Sequence, residues 1–159
     1  MATLVGFTNR GMYRILGVIL RAETPPTNFY VALVTDATAP GPDINTLSDL
    51  TEIAAGNGYT SGGYSLNRNS TDFDTWTEDD TNDEALMQVK DVAWTASGGA
   101  IPGSGDGARY AVLLDDDGTV ANREVWAYWD LGSARSVSNG QTLTLQDLEL
   151  NLATNITEA

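Results

Sequence analysis

From Tyr64 onward the chain alternates short period-two hydrophobic runs with clusters of turn-forming residues, and this rhythm limits its fold more than any other feature. Tyr64, Leu66 and Arg68 alternate with Ser65 and Asn67, as in a half-exposed strand. Ala85–Thr95 reads as one strand with Met87, Val89 and Trp94 inward. Arg109–Leu114 and Val120–Trp129 read as strands joined at Asp115-Asp116-Asp117-Gly118, which makes a hairpin. Ser138-Asn139-Gly140 marks another turn. Leu143 and Leu145 alternate, then Leu148, Leu150 and Leu152 alternate in the opposite phase, which predicts a β-bulge near Gln146-Asp147. Six or more strands at hairpin spacing predict a mainly β fold, an antiparallel, jelly-roll-like β-sandwich.

The first third of the chain departs from that rhythm. Met12, Ile15, Leu16, Ile19 and Leu20 recur at helical spacing, which predicts an amphipathic helix over 9–22. Thr8 or Asn9 caps it and Pro25-Pro26 ends it. Its apolar stripe is expected to face the sheet or a partner, with Arg10, Arg14 and Arg21 on the opposite side. Those arginines read either as a solvated face or as a docking face for an acidic neighbouring subunit. Asn28–Thr35 is apolar throughout its middle, as in a strand buried on both faces. Thr46-Leu47-Ser48-Asp49 fits a capping box, which predicts a short helix ended by Gly56 and Gly58. Asp72–Glu84 carries seven acids and no base, and is expected to be an outward loop, broken by Phe73 and Trp76. Ser97–Gly107, with five glycines, predicts a long loop. The implied organisation is an N-terminal arm and helix over 1–27, packed on or next to the domain, a sandwich domain over 28–153 and a frayed tail over 154–159.

Composition narrows the chemistry. The 159 residues include no Cys and no His, which removes disulfides, thiolate metal sites, Cys nucleophiles and the usual general base. Net charge is −14, which disfavours nucleic acid and anionic membrane as partners. The N-terminus lacks the order of a signal peptide, and no apolar run approaches the roughly 20 residues of a membrane span. Asn-X-Thr at Asn69 and Asn155 is then coincidental.

Two catalytic or cation-binding patterns merit attention. Glu124 and Asp130 lie close in sequence to Trp126, Tyr128 and Trp129, the residue types of a glycosidase site. On a strand, Trp126 and Tyr128 share one face and Trp129 takes the other, so core aromatic pairing competes with that reading. Asp115-Asp116-Asp117-Gly118 followed by Glu124 matches part of a calcium loop, but the flanks read as strands and a solvated tight turn is the alternative. The glycine clusters Ser61-Gly62-Gly63 and Gly98-Gly99 match no phosphate-cradling pattern. No catalytic, cofactor-binding or metal-ligating residue is assigned.

The segments TNRGMYRILGV (8–18), NFYVALVTDATAP (28–40), SDLTEIAAGNGYTSGGYSLNRN (48–69), KDVAWTASGGAIPGSGDGARYAVLLDDDG (90–118) and LTLQDLELNLA (143–153) resemble a class of tailed-bacteriophage virion proteins. These are small, Cys-free and β-rich, with one N-terminal helix. The resemblance implies a non-enzymatic virion structural protein, a head decoration (cement) protein made in the host cytoplasm and carried on the outer capsid surface. It implies the major capsid protein as partner and a homo-oligomer, with a trimer favoured. The alternatives are a neck or tail structural protein, or a carbohydrate-binding module or glycosidase displayed on the virion. Under this reading the capsid or oligomer contact falls on Arg10, Arg14 and Arg21 together with Met12, Ile15 and Ile19.

Overall fold

The computed structural model describes residues 3–153. In chain order they form β1 (Thr3–Phe7), α1 (Asn9–Leu20), β2 (Asn28–Val34), β3 (Tyr64–Asn67), β4 (Phe73–Asp79), β5 (Glu84–Val89), β6 (Val92–Thr95), β7 (Ala108–Leu114), β8 (Val125–Arg135), β9 (Thr142–Leu145) and β10 (Leu148–Ala153). The fold is mainly β, with one α-helix near the N-terminus, as the strand rhythm predicts. The expected tail at 154–159 lies outside the described residues.

One sheet has the order β1-β8-β7-β2-β3, antiparallel throughout. The rest of the β structure is a bent ribbon. Its lower half is the sheet β10-β5-β4 and its upper half the pair β6-β9. Pairing runs from Val89↔Leu148 on one side of the bend to Val92↔Leu145 on the other. At the corner the Gln88 side-chain amide donates to Asp147 Oδ1 at 2.8 Å and that of Gln146 to Asp91 Oδ2 at 3.0 Å. Asp147 has φ +54°, a turn conformation that Asp tolerates. The phase change expected between Leu145 and Leu148 is therefore real, but it marks a passage between sheets and not a bulge within one strand. Ala85–Thr95, read as a single strand, breaks at Lys90-Asp91 for the same reason.

The main core fills the space between ribbon and five-stranded sheet. Val31, Leu33, Ala111, Leu113, Ala127 and Trp129 meet Val89, Trp94, Leu143, Leu145, Leu148 and Leu150 there. Burying each Val or Leu side chain among them stabilises the fold by about 1.5–3 kcal/mol. Trp129 is fully buried, and its indole N–H donates to Glu149 O at 2.7 Å, so the large ring enters the core with its polar atom satisfied. On the other face of the sheet, Ala32, Val34, Val112, Leu114 and Tyr128 pack under Leu47 and Leu50 from the connection after β2. Having both faces covered explains the continuous apolar run of that strand.

Four local expectations are corrected. The capping box at Thr46 and Asp49 forms, but it closes one 3₁₀ turn, Leu47–Asp49. The chain beyond it leaves helix because Leu50 and Ile53 enter the two separate cores. The acidic tract is a strand and turn, β4 leading into β5, since paired backbone outweighs like charges that stay in water. Trp126 and Tyr128 do not share a face. The register jumps from Leu113↔Ala127 to Leu114↔Val125, so Trp126 is the extra residue of a bulge and turns into the main core, away from Tyr128. Finally, the strand expected over Val120–Trp129 begins at Val125 and runs on to Arg135, and its free side pairs with β1, the edge strand of the five-stranded sheet.

Candidate interaction surface

Helix α1 docks through its smallest residue. The Thr8 hydroxyl accepts from Gly11 N–H at 2.9 Å, which caps the helix, and donates to Val125 O at 2.5 Å. Thr8 N–H also donates to Trp126 O at 3.0 Å. The first turn is thereby pinned to β8, and Gly11 lies so close that a Cβ there falls 2.2 Å from Trp126 O. Only glycine permits that approach.

The same geometry brings the basic side of the helix inward. Arg10 Nε donates to Glu124 Oε1 at 2.8 Å, and Arg14 Nε lies 3.1 Å from Glu124 Oε2. Arg14 also donates from Nη1 to Glu23 Oε2 at 2.8 Å. The bond to Glu124 raises the Arg10 pKa above its ordinary value. Arg10 and Arg14 are thus engaged within the chain, while Arg21 is exposed. Of the two destinations expected for the apolar stripe, the sheet or a partner, the chain's own sheet takes little of it. Met12 is 45% exposed, Leu16 58%, Ile19 73% and Leu20 74%, and Ile15 alone of the five is half-buried. Periodicity defines a stripe but not its direction. The direction is set by one close-contact glycine and by a carboxylate more than a hundred residues away.

Beside Ile15 a groove of about 640 Å³ opens between the helix and the lower ribbon. Phe7, Phe29, Leu113 and Trp126 line its inner part. Phe29 meets Trp126 edge-on at 5.0 Å between centroids and Phe73 at 5.8 Å. The ribbon wall is built in cross-strand rows. The innermost, Phe73–Val89–Leu148, belongs to the core. The next, Trp76–Met87–Leu150, and the last, Glu78–Ala85–Leu152, emerge progressively from it. Trp76 is 81% exposed and Leu152 52%. At this end the groove continues into an acidic trough bounded by Glu78, Asp79, Asp80, Asp83 and Glu84. Asp79 is held below the ordinary carboxylate range by the Asn82 side chain and by backbone N–H groups of Thr81 and Asn82. Arg68 and Asp74 stand toward the other end, with Asn69 and Ser70. The sequence signal for this surface was Trp76, a large aromatic isolated in an acidic tract.

The other candidate residues are used structurally. Asp115 Oδ1 accepts from the backbone of Glu124 and Asp117, and Asp116 Oδ2 accepts from Thr27 and Asn28. The Asp115 carboxylate closes the hairpin connection on itself, and that of Asp116 ties the connection to the start of β2. Burial raises the Asp115 pKa above its ordinary value. Among the described residues no cluster of three or more acids is placed to hold a metal ion. Asp130 pairs with Arg109 and Glu124 with the helix arginines. Trp126, Tyr128 and Trp129 are all buried, so these five residues do not form an exposed sugar platform. After β2, the buried Tyr59 hydroxyl donates to Glu52 Oε1 at 2.7 Å and accepts from Leu33 N–H at 3.0 Å. Gly63, at φ +82°, lies where a Cβ would meet Val31 O at 2.0 Å. No helix among the described residues is long and apolar enough to cross a membrane. No known family model, curated protein or solved structure matches the chain.

Proposed function

We propose that this chain is a structural protein of a tailed-phage virion, a capsid decoration protein that binds between major capsid subunits as a homotrimer and reinforces the shell. The observation that carries this reading is the outward apolar face of α1, where Met12, Leu16, Ile19 and Leu20 leave a contiguous patch on an otherwise acidic protein. Patches of this kind mark association surfaces. The family resemblance supplies the phage context. The internal use of Glu124, Asp130 and the aspartates at 115–117 favours a non-enzymatic role over a glycosidase. The contact is then apolar, with Arg21 as its exposed cation, and Arg10 and Arg14 serve to hold the helix in place.

Co-sedimentation with purified heads lacking the protein tests this. The wild type should pellet at a fixed copy number per capsomer, and Leu16→Lys combined with Ile19→Lys should abolish pelleting without unfolding the chain. Recovery in purified tails and not in heads would move the assignment to the neck or tail.

A further inference from the structure

The groove beside α1 is a second surface, distinct from the outward helix face. Its apolar rows end on carboxylates: Trp76, Met87 and Leu150 come first, then Ala85 and Leu152 beside Glu78, then Asp79 and Asp80. We infer that the groove binds a segment of a different protein that carries apolar side chains followed by Lys or Arg, with the cationic end over Glu78, Asp79 and Asp80. The inference assumes a chain that works by association, as in the proposed function, but it uses other residues.

Charge decides the occupant. An apolar segment alone leaves the carboxylates of Glu78 and Asp80 without a countercharge, whereas a terminal cation meets them. A second copy of this chain is the poorer fit. Net charge is −14, and of eight basic residues Arg10, Arg14, Lys90 and Arg109 are in ion pairs. Arg123 and Arg135 donate to backbone carbonyls. Arg21, Arg68 and Arg135 are exposed cations outside any ion pair, but Arg68 already lines the far end of the groove, so a second copy offers few cations against its 22 acids. Self-docking therefore sets acid against acid. The acids beyond Trp76, set against one cation and one acid at the other end (Arg68 and Asp74), also give the groove a direction, which fixes the polarity of the incoming segment.

The probe is a labelled peptide of alternating Leu and Thr ending in three Lys, compared with the same peptide ending in three Glu, by fluorescence anisotropy on the full chain. The Lys peptide should bind saturably and weaken as salt rises, and the Glu peptide should bind at least tenfold more weakly. Trp76→Ala should cost the Lys peptide tenfold or more with the thermal melt unchanged, because that side chain is largely in water. Glu78→Lys with Asp80→Lys should reverse the preference between peptides. No saturable binding, equal binding of both peptides, or binding indifferent to Trp76→Ala overturns the inference. So does a concentration-dependent oligomer in sedimentation that Leu152→Asp abolishes, since the groove would then belong to a second copy. The outcome is separable from the decoration reading. Inverted peptide preference in a chain that never pellets with heads upholds the groove and rejects decoration. Peptide failure in a chain that still decorates heads does the reverse.

Discussion

Replacing Gly11 by Ala tests which side of α1 faces the protein. In a helix interior, Ala is favoured over Gly by about 0.8–1 kcal/mol, so the isolated helix is strengthened. In the folded chain the new methyl sits 2.2 Å from Trp126 O, 2.7 Å from Trp126 C and 2.7 Å from Trp126 Cα, all of them backbone atoms that cannot rotate away. Relief requires moving the helix off β8 by about 1 Å, at an overpacking cost of roughly 1–3 kcal/mol. That shift also stretches the Thr8 bonds to Val125 and Trp126, for about 1 kcal/mol more. The net expectation is a loss of about 1–3 kcal/mol, or a drop in Tm of roughly 3–9 °C at this size. Leu16→Lys is the companion variant. Leu and Lys have similar helix propensity and Leu16 is 58% exposed, so the change should stay within about 0.5 kcal/mol in dilute, monomeric protein. Thermal and urea melts at low protein concentration give both numbers. A Gly11→Ala variant as stable as wild type, together with a loss of about 2 kcal/mol or more for Leu16→Lys, refutes the orientation and restores a helix packed by its apolar stripe.

Two further predictions concern buried carboxylates. Asp72 is buried and bonds Lys90 Nζ at 2.5 Å, Asn67 N at 2.7 Å and Asn67 Nδ2 at 3.0 Å, so Asp72→Ala should cost about 2–4 kcal/mol by urea melt. The Lys90 bond, followed by the Asn67 backbone, holds the Asp72 pKa below its ordinary value. Its contribution is therefore complete above about pH 4 and lost as pH falls through the lowered folded value; a wild-type and Asp72→Ala stability gap that fails to narrow in acid contradicts this. Asp115 behaves oppositely, because burial raises its pKa and its ionised form costs stability at neutral pH. Asp115→Asn keeps the acceptor for Glu124 and Asp117 N–H and removes the charge, so its Tm should equal or exceed wild type at pH 7, with any advantage shrinking toward pH 4. A Tm several degrees below wild type at pH 7 argues against it.

Much of this fold is written locally. Alternation at Tyr64–Leu66, at Leu143–Leu145 and along Leu148–Leu152 marks strands because side chains of a strand leave it on alternate faces, and one face is wet. The β2 run is apolar on both faces because both are covered, and Thr8 announces the helix start because its hydroxyl meets an orphan N–H three residues on. What the sequence left open are matters of direction and partnership. The bulge at Trp126 exists only relative to the register of β7, so no pattern within β8 reveals which way Trp126 turns. The ribbon bends at Lys90-Asp91 because Gln146-Asp147 bends beside it, fifty-odd residues away. The amphipathic stripe of α1 is equally visible whether it faces core or water. Its outward turn follows from the contact of Gly11 with Trp126 and from Glu124 drawing Arg10 and Arg14 inward, both of them long-range contacts that no local pattern encodes.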